Sequence, residues 1–289
     1  MKEQEFLLEN YNSFNLRDIF ECGQCFRWNI EEDGSYTGVF GGNVLNVKKQ
    51  NNAILFKGIC EGDIIPTIID YFDLERDYEL IKSKLERVDN NMKESIKYGT
   101  GIRILNQDLW ETIISFIISA NNNIPRIKGI IERLSEKYGY KIVYNGKEYF
   151  TFPTPKQLEN VSVEEFRKLG LGFRDIRLYE TTKLVLNKEV DIENLHNIKD
   201  TNIVRDELLK LSGVGPKVAD CILLFSTLKR FDVFPIDVWV RRVMNDLYIH
   251  KEKEQDVSKK EILQIANEKF GDLEGIAQQY LFYWRRELG

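Results

Sequence analysis

Apolar positions change rhythm along this chain. Across residues 34–58 they come in short runs separated by turn pairs. Tyr36, Val39 and Phe40 precede Gly41-Gly42, Val44, Leu45 and Val47 precede Asn51-Asn52, and Ile54, Leu55 and Phe56 follow. Such spacing predicts an antiparallel sheet. Residues 61–95 are more helical and charged. Near residue 100 the helical period takes over. Asp108 with Glu111 has the spacing of a capping box, and Ile113, Ile114, Phe116, Ile117 and Ile118 make the following helix apolar on so many sides that it must be buried. Asn123 and Pro125 suit the start of another helix. Residues 141–155 read as a loop with aromatic content. Thr154-Pro155 opens a further helix, Ser162 with Glu165 caps the next, and Gly170 stops it. The remainder is helical with short links, without internal repeats. The expected fold class is α+β. An antiparallel β-rich N-terminal domain (1–100) precedes a helical region (101–289).

Composition narrows the setting. Of 289 residues, 43% are hydrophobic and 30% charged, which suits a folded globular chain. No run of about 18 apolar residues is present to cross a membrane. The start, Met1-Lys2-Glu3, lacks the apolar stretch of a secretory signal. A cytoplasmic protein with no membrane partner is expected. Four cysteines fit a reducing compartment. Cys22 and Cys25 form a C-x-x-C pair, which redox and half-metal sites share. No second pair follows, and His196 and His250 lie far off, so no metal and no cofactor is expected. The formal net charge of −5 counts mildly against a nucleic-acid partner. Backbone amides and a local basic patch can still hold phosphates on an acidic protein.

One segment carries sharper chemistry. Ile203, Val204, Leu208 and Leu209 mark a helix over 202–210, which Leu211-Ser212-Gly213-Val214-Gly215 breaks. Pro216 stands where proline favours a helix start, and Val218, Ala219, Ile222, Leu223, Phe225 and Leu228 give the second helix its apolar face. Gly213 and Gly215 permit a tight turn whose amides point outward, and amides at a helix N-terminus bind phosphate. This is a helix-hairpin-helix, spanning 202–228, the form used to grip the DNA backbone. Lys217 in that hairpin reads equally as a phosphate contact or as a nucleophile. Asp237, after Phe234-Pro235-Ile236, reads as a helix N-cap and, facing Lys217, as its carboxylate partner. An uncharged amine held against DNA can attack the sugar C1′, displace the base and form a Schiff base. Lys217 is therefore expected to have a depressed pKa.

With these residues in view, the chain resembles the 8-oxoguanine DNA glycosylases of the helix-hairpin-helix (endonuclease III-like) superfamily over nearly its whole length. Five motifs in the family's order carry the resemblance: Gly-Gln-Cys-Phe-Arg-Trp at 23–28, Asn-Asn-Asn-Ile-Pro-Arg at 121–126, Leu-Gly-Leu-Gly-Phe-Arg at 169–174, Val-Gly-Pro-Lys-Val-Ala-Asp-Cys at 214–221 and Phe-Pro-Ile-Asp-Val at 234–238. The resemblance implies a β-rich N-terminal domain and two helical subdomains with the active site in the cleft between the latter. It implies a bifunctional enzyme acting as a monomer on double-stranded, nucleoid-associated DNA. Such an enzyme excises 8-oxoguanine opposite cytosine and cleaves the strand by β-elimination.

By motif position, Lys217 would be the nucleophile and Asp237 its partner. The Gly23 carbonyl would accept N7–H of 8-oxoguanine and repel the unprotonated N7 of guanine. Cys221 and Phe282 would sandwich the flipped base, and Gln278 would bond its Watson–Crick edge. Asn121 would fill the gap left by flipping. Arg126 and Arg174 would donate to the orphaned cytosine, with Phe173 wedged beside them, while Gly213 and Gly215 would sit on the DNA backbone. The hairpin carbonyls of Leu209, Leu211 and Val214 would hold a monovalent cation against phosphate. Phe173 and Trp239 depart from the better-known eukaryotic members, which carry a tyrosine at the first position and a histidine near the second. Three other readings stay open. An endonuclease III-like glycosylase for oxidised pyrimidines shares the hairpin, lysine and aspartate, but many carry a four-cysteine cluster after the aspartate, and no cysteine follows Cys221 here. Alkylated-base glycosylases usually lack the lysine. A non-catalytic hairpin module would need neither Asp237 nor the Gly23 and Asn121 motifs.

Overall fold

The structure, a computed structural model, describes residues 1–9, 11 and 13–288. The N-terminal region is a five-stranded antiparallel sheet. Its strands are β1 (Lys2–Glu9), β2 (Trp28–Ile30), β3 (Tyr36–Phe40), β4 (Asn43–Gln50) and β5 (Ala53–Cys60), in the order β1-β5-β4-β3-β2. The turn pairs read from the sequence separate β3, β4 and β5. β1 and β2 lie at the two edges, where a strand needs little continuous apolar character. One face closes over α1 (Leu16–Phe20) and α2 (Ile64–Tyr71) around Phe14, Phe20, Trp28, Phe56 and Phe72.

The other face takes a second hairpin. Residues 141–155, read above as a loop, begin with β6 (Lys141–Tyr144) and β7 (Lys147–Phe150). Asn145 and Gly146 both have positive φ, 50° and 73°, as a tight two-residue hairpin turn requires. Ile142 and Tyr144 pack on Val39 and Val44 of the sheet. The hairpin is therefore a structural cover and not a free loop.

Helices α3 (Tyr78–Glu86) and α4 (Asn90–Tyr98) lead into α5 (Leu109–Ser119), α6 (Ile124–Tyr138), α7 (Val163–Lys168) and α8 (Asp175–Leu186). Then come α9 (Thr201–Leu208), α10 (Pro216–Phe225), α11 (Val238–Met244), α12 (Lys259–Phe270) and α13 (Glu274–Leu288). The helices share one continuous core that includes Phe26, Phe116, Ile222 and Tyr280. α5 is buried along its apolar run, as its all-round hydrophobicity demanded. Each such side chain contributes about 1.5–3 kcal/mol by leaving water.

Asp108 caps α5 by accepting the Glu111 N–H at 2.8 Å. The return bond of a capping box is not made. Burial instead pushes the Glu111 carboxyl up to about 7, against the pull of Arg27. Ser162 and Glu165 do form the full box at α7. Among the described residues no helix is long and apolar enough to cross a membrane.

Candidate active site

The turn after α1 is built to hold one backbone carbonyl still. Gly23 sits at φ +90°, a conformation L side chains rarely adopt. A Cβ there would stand 3.5 Å from Phe282 Cε1 and 3.4 Å from Arg286 Nη1. Neighbouring residues fasten the turn on two sides. Gln24 Nε2 donates to the carbonyls of Ile19 (2.9 Å) and Arg103 (2.8 Å), and Gln24 Oε1 accepts the Leu105 N–H at 2.9 Å. Gln279 Nε2 on α13 donates to the Cys22 carbonyl at 2.6 Å, and Arg286 Nη2 to that of Glu21 at 2.5 Å. The turn thus stands in register with α13, which carries Gln278 and Phe282. Gln278 is buried, and its Oε1 has no hydrogen-bond partner among the described residues. A buried polar atom of that kind is costly unless something later satisfies it.

Cys22 and Cys25 play no part in this surface beyond packing. Both are buried, and their thiols donate to the Ile19 and Phe20 carbonyls. Burial pushes the Cys22 thiol up to about 12 and the Cys25 thiol higher still.

The hairpin joins α9 to α10. Gly213 takes φ +85°, and Pro216 occupies the first turn of α10, with Gly215 as its N-cap. The first amides of a helix lack intrahelical partners, so this end can receive a phosphate. The Leu211 carbonyl, one of three implied to hold a cation, accepts the Val214 N–H at 3.1 Å. Thr181 Oγ1 donates to the Ser212 carbonyl at 3.0 Å and ties the hairpin to α8.

Lys217 projects from the first turn of α10, with its Nζ 5.5 Å from the centre of the Phe116 ring. Phe116 in turn meets Phe26 edge-on at 5.6 Å. Phe26 belongs to the Gly23 turn, so the two aromatic rings link the amine to that turn. No sequence motif singled out Phe116 for a part in the site. Cys221 lies one helical turn below Lys217, buried, with its sulfur beside the amine. Asp237 caps α11 by accepting the Val240 N–H at 2.7 Å. The Cys221 sulfur, then the Asp237 carboxylate, hold Lys217 above the ordinary lysine range, with burial working against them. This reverses the sequence expectation of a depressed pKa. The attraction of these two partners for the ammonium outweighs desolvation in the free protein. Burial also pushes the Cys221 thiol up, against the pull of Lys217.

A second group lies where α5 meets α6. Asn121 is exposed, at φ +51°. Asn123 caps α6 by accepting the Arg126 N–H at 3.0 Å. Arg126 is exposed and lends Nη2 to the Gly170 carbonyl at 3.2 Å. Phe173 is 54% exposed. The Arg174 and Arg177 guanidiniums lie 4.2 and 5.0 Å from its ring centre. Arg174 itself is only 2% exposed. Trp239 is partly buried against the helical core, and its Nε1 has no partner among the described residues.

Comparison with known proteins fits this arrangement. Residues 6–113 match the model of the 8-oxoguanine DNA glycosylase N-terminal domain, and residues 114–270 match that of the HhH-GPD superfamily base excision DNA repair proteins. A probable N-glycosylase/DNA lyase of Methanothermobacter thermautotrophicus is 34% identical over 76% of this chain and 75% of its own. The N-glycosylase/DNA lyase of Saccharomyces cerevisiae is 30% identical over 81% of this chain and 68% of its own. The Clostridium acetobutylicum 8-oxoguanine glycosylase/lyase, solved with double-stranded DNA containing cytosine opposite 8-oxoG, superposes with a TM-score of 0.92. It is 43% identical, with 100% of this chain and 98% of that one covered. The chain belongs to the 8-oxoguanine DNA glycosylase branch of the HhH-GPD superfamily.

Proposed function

We propose that this protein removes 8-oxoguanine from its pair with cytosine in duplex DNA and then cleaves the strand, with Lys217 as nucleophile. The observation that carries the reading is the run of contacts from Lys217, beside Cys221 and Asp237, through the Phe116 and Phe26 rings to the left-handed Gly23 turn, which faces Phe282. Lys217 Nζ forms a bond to C1′ as the bond from C1′ to the base breaks, and the base leaves with its electron pair. The resulting O,N-acetal opens to a Schiff base as the C1′–O4′ bond breaks and O4′ takes up a proton; the Schiff base acidifies C2′–H, and β-elimination removes that proton as the C3′–O bond breaks and the phosphate leaves with its electron pair. Asp237, fixed by its cap, stabilises positive charge growing on the sugar. The free enzyme keeps its amine charged, so the amine must pass a proton to solvent or to the leaving base for its lone pair to attack.

The base sits between Cys221 and Phe282. The Gly23 carbonyl accepts N7–H, which guanine lacks, and the Gln278 amide, whose Oε1 has no partner among the described residues, takes the Watson–Crick edge. Asn121 fills the vacated stack, Phe173 wedges beside it, and Arg126 and Arg174 donate to the cytosine. Gly213 and Gly215 set the DNA backbone on the α10 amides. The sheet region to about residue 100 and the helices beyond it act as two domains of one monomer, working on the nucleoid.

The test is single-turnover excision from duplexes with 8-oxoguanine opposite each of the four bases, beside a thymine glycol duplex. Fastest release is expected from the cytosine pair. A preference for thymine glycol would assign the chain to oxidised-pyrimidine repair instead.

A further inference from the structure

Successive carbonyls along the turn after α1 are tied down by side chains, with one exception. Arg286 Nη2 donates to that of Glu21 at 2.5 Å, Gln279 Nε2 to that of Cys22 at 2.6 Å, and Gln107 Nε2 to that of Gln24 at 2.8 Å. Between them the Gly23 carbonyl accepts no hydrogen bond among the described residues. Cys22 and Gln24 are buried, while Gly23 is partly exposed. The turn therefore fixes the neighbours of one acceptor and leaves that acceptor open.

The helix that ties the turn also bears the expected base contacts. Gln279, Tyr283 and Arg286 stand at i, i+4 and i+7 on α13 and so share one stripe. All three bond to α1 or to its turn, Tyr283 through its hydroxyl, which donates to Asp18 Oδ1 at 3.4 Å. Gln278 and Phe282, also four apart, form the adjacent stripe, and a Cβ on Gly23 would stand 3.5 Å from Phe282 Cε1. Gln279 is 2% exposed, so no water can replace its amide at the Cys22 carbonyl. A peptide unit moves as one rigid group, so that bond fixes the whole Cys22–Gly23 plane. Glycine has no Cβ to restrict φ and ψ beyond it. Without the Gln279 bond, the Gly23 carbonyl would lose its nearest constraint on the α13 side.

The geometry points to Gln279 as a positioning residue for base selection. It sets the Gly23 carbonyl at a fixed offset from Gln278 and Phe282, so that N7–H and the Watson–Crick edge of one base are read together. This assignment rests on the proposed function above, in which the Gly23 carbonyl accepts N7–H.

A cycle between one side chain and one base atom tests it. Binding is measured in a Lys217→Gln background, which stops turnover. The duplexes carry, opposite cytosine, either 8-oxoguanine or its analogue with carbon in place of N7, which offers no N7–H. Adding Gln279→Met removes the donor at nearly constant volume. It is expected to weaken binding of the 8-oxoguanine duplex by about five- to tenfold, the scale of one hydrogen bond, and of the analogue by no more than about twofold. With Lys217 intact, Gln279→Met should cleave a preformed abasic duplex within about twofold of the wild-type rate, because no base is left to read. In the DNA-free protein the backbone order parameter of the Gly23 amide, which shares the pinned plane, should fall from about 0.85 toward about 0.6. Equal weakening on both duplexes, a matching loss on abasic DNA, or an unchanged order parameter overturns the assignment. Should Gln279→Met fail to fold, Gln279→Leu also lacks a donor and must give the same pattern. Equal binding of the two duplexes by Lys217→Gln alone would sink the N7–H reading itself. The order parameter, measured without DNA, would still decide whether Gln279 holds the turn.

Discussion

Asp237 carries two jobs that two substitutions separate. Its carboxylate accepts the Val240 N–H at 2.7 Å and so caps α11, and it bears on the charge of Lys217. Asparagine caps a helix about as well as aspartate, whereas alanine forfeits about 1 kcal/mol, within a range of roughly 0.5–2. Asp237→Asn should therefore stay within a few tenths of a kcal/mol of wild type in urea unfolding. Asp237→Ala should lose about 1 kcal/mol, a fall in Tm of about 2–4 °C for a domain of this order of size. Excision should follow charge and not the cap. Both variants lose a carboxylate facing a developing positive charge, so both should slow by about 10²–10³, the usual cost of removing one preorganised electrostatic group. The assays are urea unfolding and single-turnover excision on one preparation of each variant. Near-normal excision by Asp237→Asn would refute the electrostatic role and leave a cap alone.

Two more predictions concern pH and the glycine turn. Lys217 is held up mainly by Cys221, so Cys221→Ala should lower its pKa and move the rising alkaline limb of Schiff-base formation on preformed abasic DNA to lower pH; an unmoved limb would contradict this. By linkage, a lysine raised on folding contributes stability that is full below its unfolded value and lost as pH rises through the folded one. The Cys221→Ala variant should accordingly lose its stability deficit from this source only in the alkaline range. Gly23→Ala places a Cβ at φ +90°, 3.5 Å from Phe282, and should cost about 1–2 kcal/mol in unfolding. It should also raise KM for the 8-oxoguanine duplex, and unchanged binding would show that the turn does not meet the base.

How much of this was legible depended on how local each signal is. The hairpin announced itself, because Gly213 at φ +85° and Pro216 at the start of α10 suit the backbone there, although Gly215, at φ −97° with nothing within 4 Å of a Cβ, is not required by it. Its helices were expected over 202–210 and 216–228 and run Thr201–Leu208 and Pro216–Phe225. The β6–β7 hairpin carried a local signal too, Asn145-Gly146 between the apolar Ile142 and Tyr144 on one side and Tyr149 on the other. The aromatic content of 141–155 masked it. β1 was harder, since an edge strand with Phe6 and Leu8 only partly buried needs little hydrophobic continuity. Arg103, buried under the Phe72 and Ser13 carbonyls and over the Tyr78 ring, was invisible because its partners lie elsewhere in sequence. The same holds for Gln279 and Phe116. The sign of the Lys217 shift also lay beyond the sequence. It turns on a balance between Cys221, Asp237 and desolvation, and spacing alone supplies the partners without the balance.

The central claim is that one amine, Lys217, does the chemistry. Borohydride reduction during reaction with duplex DNA carrying 8-oxoguanine opposite cytosine, followed by peptide mass mapping, tests it most directly. A covalent DNA adduct is predicted on the peptide containing Lys217, and none in Lys217→Gln. An adduct mapped to any other residue, or an active enzyme that yields no adduct, would contradict the account.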